Sequence, residues 1–392
     1  MNIPIVVVAF DRHNSLNRLL NNLSQAHYDN NNVDLIISID KSDNNEVYRI
    51  AEKFKWNHGE KKVICHPENL GLRKHVLKCG DIALDYDAVI ILEDDLYVSR
   101  SFYRYAQQAV SFYNYEENIA GISLYNYRVT EFAELRPFIP IHDESDTYFA
   151  QVPSSWGQIW TRNQWKNFKL WYEEKEFINI DFKGIVPDVV LNWKESSWKK
   201  YFHMYLALNN KFFVYPRVAL STNMGNVGTH NEINSNSHQA ILMGDFDRDY
   251  NFKRIQDSSA KYDAFFESHN LLNCIINKGE DNLIIDYYGL KQQYSNRGYL
   301  LTTKKLNFKV HKSWSLALVP YELNVLYDLK GEGIYLYNLS QKESNTSSSL
   351  DRRSLIKYEL PSLTKERAAI IFLKDYLEAI ARKIKRMLYI GK

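Results

Sequence analysis

The stretch Ala88-Val89-Ile90-Ile91-Leu92-Glu93-Asp94-Asp95 decides how the rest of the chain is interpreted. Its aliphatic part carries no charge and predicts a strand buried on both faces, as in a parallel sheet. The strand ends in three consecutive carboxylates, which repel one another unless a cation or hydrogen-bond donors lie over them. Because open α/β sheets bind ligands at the carboxyl ends of their strands, a bound cation is one interpretation. A solvated acidic turn is the other.

Strands and helices alternate upstream of this stretch. Further strands, each followed by a helical pattern, are predicted over residues 4–10, 33–39 and 62–65. With the acidic strand they form four β-α units, which predicts an α/β fold with a parallel sheet covered by helices on both faces. Right-handed crossovers bring the strand ends to one edge of such a sheet. We therefore expect Asp40, the loop 69–75 and Glu93–Asp95 to meet in one crevice.

The composition excludes several classes of protein. A chain of 392 residues with 45% hydrophobic and 24% charged residues is ordinary for a globular protein and long enough for two domains. A net charge of +2 argues against a dedicated nucleic-acid binder. The three cysteines, Cys65, Cys79 and Cys274, match no metal-ligand spacing and favour free thiols in a reducing compartment. With no signal-peptide pattern and no apolar run that spans a bilayer, the sequence predicts a cytoplasmic protein.

Composition also divides the chain. We predict a first domain over residues 1–240, an accessory α+β module over 241–345, and a flexible segment followed by a basic amphipathic helix over 346–392. Residues 231–263 are polar and are the candidate linker. The stretch 364–392 holds eight Lys/Arg and three Asp/Glu beside one apolar stripe. Such a helix is typical of membrane-surface contact, and docking on protein or a dimer partner is the alternative.

With the crevice assembled, the sequence resembles the GT-A nucleotide-sugar glycosyltransferases, more narrowly the bacterial family-2-like enzymes and the related N-acetylglucosaminyltransferase I. The resemblance covers residues 4–165 and returns over 193–230. It implies a Rossmann-like mixed sheet flanked by helices. In the family the last acid of the triplet coordinates Mn²⁺ (or Mg²⁺), which points to Asp95. Glu93 and Asp94 match residues that contact the ribose and the sugar.

The resemblance implies further donor contacts on the nucleotide side. Asp40 matches an acid near the uracil ring, and Arg73 and His75 match contacts to phosphate and nucleotide. Arg12 is a further pyrophosphate candidate, and His230 matches a histidine that faces the diphosphate. From the residues alone, Asp40 could instead be a helix cap, His75 a surface histidine and His230 a turn residue.

Trp156-Gly157 resembles the family's loop beneath the sugar, where the missing side chain leaves room and the indole forms a flat wall. The alternative is that Trp156 is a core residue, which is the commoner position of aromatic side chains.

The catalytic base is where the chain departs from the family. Relatives carry an Asp near a Trp at the start of a helix, but the matching stretch 193–200 has Ser and Lys there. Glu195 is the nearest carboxylate, with Asp188 behind it, so these are the candidate bases for attack by an acceptor hydroxyl.

These features predict a metal-dependent, inverting glycosyltransferase that moves a hexosyl or N-acetylhexosaminyl group from a UDP-sugar to a glycan or lipid-linked acceptor. The resemblance places it in surface polysaccharide synthesis, with the C-terminal helix on the inner face of the plasma membrane. A nucleotidyltransferase is an alternative, although residues 10–13 lack the glycine that its phosphate loop needs. A catalytically weak nucleotide- or glycan-binding relic is the other, because the expected Asp is missing.

Overall fold

The computed structural model describes residues 1–29, 32–175, 177–225, 237–269, 283–291, 294, 298–344, 352–361 and 373. The first part of the chain alternates strands and helices, as the sequence predicts. The strands are β1 (Ile5–Ala9), β2 (Leu35–Ile39), β3 (Lys61–Cys65) and β4 (Ala88–Glu93), and the helices are α1 (His13–Leu23), α2 (Asn45–Lys53) and α3 (Gly71–Asp81). All four strands run parallel, in the order β3-β2-β1-β4.

The following part of the chain extends the sheet with strands of both directions. It comprises β5 (Leu96–Val98), α4 (Phe102–Tyr113), β6 (Ile119–Ser123), β7 (Thr147–Ala150), β8 (Gln158–Thr161), α5 (Arg162–Glu173), α6 (Asp188–Leu191), α7 (Trp198–Leu208), β9 (Phe212–Pro216), β10 (Ser221–Asn223) and β11 (Lys261–Tyr262). Among the described residues the main sheet has the order β11-β7-β9-β6-β8-β4-β1-β2-β3. Strand β8 is antiparallel to both β4 and β6, so the sheet is mixed, as expected for the GT-A resemblance.

A smaller sheet follows in the chain. Its strands β12 (Leu283–Asp286), β13 (Tyr299–Thr302), β14 (Phe308–Ser315) and β15 (Gly333–Lys342) have the order β12-β13-β15-β14. The helices of this part are α8 (Tyr321–Leu326) and α9 (Arg352–Glu359). The fold is therefore α/β with an added α+β unit.

The core explains why the first strands form. Strands β1 and β2 and the aliphatic part of β4 are buried along their whole length because both faces of the sheet are covered. Even-numbered β1 residues such as Val6 belong to one hydrophobic cluster and odd-numbered ones such as Val7 to the other. Adjacent side chains of a strand point to opposite faces, so this alternation identifies the two layers.

The expectation of a linker over residues 231–263 needs correction. In the described part of this stretch, Tyr250 and Phe252 lie against Tyr105 of α4, and β11 pairs with β7. The stretch is packed there because its aromatic side chains find partners on α4, while the domain boundary at residue 240 stays a prediction. The predicted C-terminal helix falls outside the described residues, apart from Leu373. No helix in the described ranges has the length and apolar character needed to cross a membrane.

Helix α3 packs closely against α5 at one glycine. A Cβ atom on Gly80 would lie 2.2 Å from the Trp165 ring, so Gly80→Ala should lower the free energy of unfolding by about 1–3 kcal/mol. Thermal or urea unfolding measures the change. Lys78→Ala, at an exposed position of the same helix, is the matched control and should leave stability nearly unchanged. Equal destabilisation by both variants would contradict the tight contact.

Candidate functional site

The carboxyl ends of β1, β2 and β4 open into a cleft of about 630 Å³. Its walls come from three places: these strand ends, the start of α3, and loops of the antiparallel half. They comprise Val8, Ala9, Phe10, Asp11, Arg12, Asp40, Asn69, Gly71, Leu72, His75, Glu93, Asp94, Asp95, Ser155, Trp156, Lys194, Ser196, Asn223 and His238. Asp40, the loop 69–75 and Glu93–Asp95, which the sequence predicts at one edge of the sheet, therefore line the same cleft.

The acidic end of β4 is held by a half-buried cation, Arg12, from the turn between β1 and α1. The Arg12 guanidinium forms ion pairs with Asp94 and, at 2.8 Å, with Asp95. Burial alone would lower the pKa of Arg12, but the charges of Asp94 and Asp95 raise it overall. Burial raises the pKa of the Glu93 carboxyl to about 8, with Asp95 adding to the effect, and raises that of Asp94 to about 6. The triplet is thus not a solvated turn.

Asp95 retains capacity for a further ligand. Its Oδ2 accepts a hydrogen bond from Arg12, whereas its Oδ1 is buried and has no hydrogen-bond partner among the described residues. A buried carboxylate oxygen left unpaired is unfavourable, so the position suits a cation. In the described ranges no cluster of three or more His, Cys, Asp or Glu side chains could hold a metal on its own. A divalent ion at Asp95 would therefore need oxygen ligands from its substrate and water.

Asp40 acts as a cap for the start of α3. Its carboxylate accepts hydrogen bonds from the backbone N–H groups of Lys41, Leu70 and Gly71 at 2.9, 2.8 and 3.0 Å. A carboxylate is favourable at a helix N-terminus, where backbone N–H groups lack partners. The alternative interpretation as a cap is thus correct, and the same side chain also lines the cleft.

His75 is a buried histidine rather than a surface one. Its Nε2 lies 2.8 Å from the Ser38 hydroxyl, and the same hydroxyl lies 3.1 Å from Nε2 of His66. Burial lowers the pKa of His75 to about 4, against a smaller opposing effect of Asp40. The imidazole is therefore neutral near pH 7 and presents a polar edge to this end of the cleft.

Arg73 and the candidate bases lie outside the cleft lining. The Arg73 guanidinium donates to the Tyr201 hydroxyl at 2.8 Å and lies 4.0 Å from Glu195. Glu195 accepts from Lys200 at 2.7 Å and from Tyr201, while its side chain is 71% exposed. The hydrogen bond from Lys200 is the main reason for the lowered pKa of Glu195. Asp188 begins the short helix α6 and also lies outside the lining.

Trp156 lines the cleft, but Gly157 has a different role from the expected one. Gly157 has φ +93°, and a Cβ there would lie 2.8 Å from the Ser221 hydroxyl and 3.2 Å from Leu124. The space that a side chain would fill is therefore occupied by the protein and does not open toward a sugar. Glycine is required at position 157 because Ser221 and Leu124 approach its backbone closely. The preceding residue, Trp156, lies at the cleft wall.

A buried ion pair behind Trp156 was not predicted. Lys199 Nζ donates to both oxygens of Glu131 at 2.7 Å and to the Tyr127 hydroxyl at 3.1 Å. It also lies 5.2 Å from the centroid of the Trp156 ring and 5.6 Å from that of Trp193. The signal available in the sequence was the presence of Ser and Lys in the stretch 193–200, where the family's Asp is expected. The partner of Lys199, Glu131, lies 68 residues away and could not be identified without the fold.

Two further cleft residues were missed, and one predicted residue cannot be located. His238 and Asn223 line the cleft, and the His238 ring lies 4.9 Å from the Trp156 ring. His230 lies outside the described residues. A lone histidine in a polar stretch carries no pattern that would identify His238 from the sequence.

The lowered pKa of His75 predicts a dependence of stability on pH. The unfolded chain binds a proton near pH 6.5 and the folded chain only near pH 4, so the contribution of His75 to stability is lost as pH falls between these values. At pH 5 the loss relative to pH 7 should be about 2 kcal/mol. Urea unfolding of His75→Gln should show a correspondingly weaker pH dependence. His142→Gln, at an exposed position, is the control and should keep the wild-type dependence. An unchanged dependence in His75→Gln would contradict this assignment.

The buried pair of Lys199 and Glu131 predicts a coupled effect on stability. Lys199→Met leaves the Glu131 carboxylate buried without its cation and should destabilise the protein by about 3–5 kcal/mol. The double variant Lys199→Met/Glu131→Gln should recover much of this loss in urea unfolding. Arg49→Met breaks an exposed ion pair with Glu46 and should change stability by less than about 1 kcal/mol. Additive losses in the double variant would argue against the coupling.

Comparison with known proteins yields partial structural similarity only. No family model matches the sequence, and no curated protein matches it. Among solved structures, S. aureus TarS 1–349 in complex with UDP-GlcNAc is 14% identical with a TM-score of 0.37, over 59% of this chain and 60% of that chain.

Two other solved structures have similar scores. A cytidylyltransferase from Leptospira borgpetersenii is 12% identical with a TM-score of 0.30, over 54% of this chain and 72% of that chain. The mannosyltransferase PcManGT from Pyrobaculum calidifontis, in complex with GDP-Man and Mn²⁺, is 15% identical with a TM-score of 0.30, over 44% of this chain and 46% of that chain. This chain thus spans less than two thirds of the TarS and PcManGT chains. TM-scores and identities this low assign neither a family nor a reaction to this chain.

Proposed function

We propose that this protein is a metal-dependent, inverting glycosyltransferase that transfers a hexosyl or N-acetylhexosaminyl group from a UDP-sugar to a glycan or lipid-linked acceptor. The observation that carries the proposal is the cleft itself. It joins a polar nucleotide end, an acidic end with an unpaired carboxylate oxygen, and an aromatic wall at Trp156. Nucleotide, diphosphate and sugar are the three parts of such a donor.

The nucleotide end is formed by the ends of β2 and α3. Asp40 and His75 line it, and the capping bonds of Asp40 fix the start of α3. The two side chains would offer hydrogen-bonding groups to the base, with His75 held by Ser38. Arg73 is engaged with Tyr201 outside the lining, so its proposed phosphate contact would require release of that hydrogen bond.

The diphosphate end is formed by Arg12 and the acids of β4. The guanidinium of Arg12 is suited to phosphate oxygens because its N–H groups can donate two parallel hydrogen bonds. Asp95 would hold a Mn²⁺ or Mg²⁺ ion through its unpaired Oδ1, while Glu93 and Asp94 contact the ribose and sugar. Bound there, the ion would neutralise the charge of the leaving diphosphate.

The sugar end is formed by Trp156 and its support. An indole ring provides a flat apolar surface against a sugar ring, and Lys199 Nζ lies 5.2 Å from the centroid of this ring. The acceptor hydroxyl would attack the anomeric carbon on the face opposite to the diphosphate, which inverts the configuration. The binding energy of the whole donor serves to hold this geometry.

One observation favours a second function, a relic that binds nucleotide or glycan without turnover. The stretch 193–200 has Ser and Lys where the family's Asp is expected, and both Glu195 and Asp188 lie outside the cleft lining. Turnover of a UDP-sugar would exclude this candidate.

We further propose that the acceptor belongs to surface polysaccharide synthesis and that the basic stretch 364–392 contacts the inner face of the membrane.

Asp95 should control metal-dependent nucleotide binding. Isothermal titration of UDP in the presence of MnCl₂ should show at least a roughly tenfold loss of affinity in Asp95→Ala. EDTA should weaken UDP binding to the wild type by a similar factor and leave binding to the variant unchanged.

The control is Asp85→Ala, which removes an exposed carboxylate ten positions earlier in the chain. It should bind UDP like the wild type. Equal UDP affinity in Asp95→Ala and the wild type would refute the proposed metal site. UDP release from UDP-glucose, UDP-galactose or UDP-GlcNAc with Mn²⁺ then tests transfer, and binding without release on any of these donors would favour the relic.

A further inference from the structure

The cleft contains a histidine, His238, that has no role in the proposed binding of the donor. His238 forms the wall beside Trp156, with the two ring centroids 4.9 Å apart and the planes at 33°. Its backbone is fixed, since the Tyr125 hydroxyl donates to the His238 carbonyl at 2.9 Å and the Ala240 N–H donates to Thr222 at 3.0 Å. Within the described ranges no group hydrogen-bonds to either ring nitrogen of His238.

Several ionisable groups of the cleft already have partners. Asp94 and Asp95 are paired with Arg12, and Asp40 accepts three backbone hydrogen bonds. His75 is bonded to Ser38 at the nucleotide end. Asp95, Asp40 and His75 lie at the ends assigned to the diphosphate and the nucleotide, and Asp94 is engaged by the Arg12 guanidinium, so these four groups are poorly suited to activate an acceptor beside the sugar.

The carboxylates on the acceptor side are also unsuitable. Glu195 lies outside the cleft lining and is held by Lys200 and Tyr201. Glu131 has both oxygens on Lys199, so accepting a proton there would break a buried ion pair. Neither of these two carboxylates is therefore suited to accept a proton beside the sugar.

The charge state of His238 suits this role. Burial is the main cause of its lowered pKa; the charge of Glu131 opposes the shift, and that of Lys199 adds to it. The imidazole is neutral near pH 7, and one ring nitrogen then carries a lone pair that no group among the described residues occupies. Histidine is the side chain most often used as a general base in enzymes.

We propose that His238 is the general base that activates the acceptor hydroxyl. This inference rests on the proposed glycosyltransferase function. The acceptor O–H proton passes to a ring nitrogen of His238 as the acceptor oxygen bonds to the anomeric carbon. The bond between that carbon and the diphosphate oxygen breaks, and the leaving UDP takes the electron pair. His238 then returns the proton to solvent.

Hydrolysis of the UDP-sugar tests this role, because water is then the acceptor and no glycan needs to be known. With Mn²⁺ and the donor that the wild type hydrolyses, His238→Ala and His238→Gln should lower kcat roughly 100-fold or more. UDP affinity by calorimetry should stay within twofold, and thermal unfolding checks that the variants fold. Imidazole in the buffer should restore part of the activity of His238→Ala.

The pH profile separates a base from a structural residue. Wild-type kcat should decrease as pH falls below the ordinary histidine pKa of 6.5, because protonated His238 cannot accept a proton. The residual kcat of His238→Ala should not show this decrease at acid pH. His311→Gln, in an exposed part of β14, is the matched control and should keep wild-type kcat and profile. Glu195→Gln tests the other candidate base in the same assay.

The outcomes that overturn the proposal are distinct. A kcat within threefold of wild type in both His238 variants excludes His238 as the general base. A loss of kcat confined to Glu195→Gln assigns the role of general base to Glu195. Loss of UDP affinity in the His238 variants identifies a donor ligand instead. A wild-type protein that binds UDP but hydrolyses none of the UDP-sugars overturns the proposed function, and the base with it.

Discussion

The structure depends on one electrostatic constraint at the end of β4. The Asp94 and Asp95 carboxylates are buried, where unpaired charge is unfavourable, and Arg12, which follows β1, neutralises both. Strands β1 and β4 are hydrogen-bonded neighbours, so the cation and the acids are brought together by the sheet register itself. Among the described residues, the pairing leaves Asp95 Oδ1 without a hydrogen-bond partner. The same arrangement therefore stabilises the fold and retains a position for a ligand.

The two halves of the sheet supply different parts of the cleft. The parallel half positions polar groups through helix capping and buried hydrogen bonds, as Asp40 and His75 show. The antiparallel half positions aromatic side chains through close packing, since the Trp156 ring lies against the rings of Tyr125 and His238. A donor with a polar nucleotide and a sugar ring matches this division.

The sequence predicts the parallel half well and the acceptor side poorly. The four β-α units and the meeting of Asp40, His75 and the β4 acids follow from local periodicity and the handedness of crossovers. Lys199, Glu131 and His238 depend on contacts between residues far apart in the chain, which no local pattern records. The close approach of Ser221 to Gly157 could not be predicted for the same reason, because Ser221 lies in a later strand.

The position of β8 has a consequence for how the cleft can vary. This strand pairs with β4 on one side and β6 on the other, while β7 is held by β9. Residues 151–157 therefore span two anchored strands and carry Trp156 between them. A different loop grafted between the same anchors would reshape the cleft wall at Trp156 while the acid-bearing strand kept its register. On the proposed function, loop exchange is therefore a modular route to new sugar preferences.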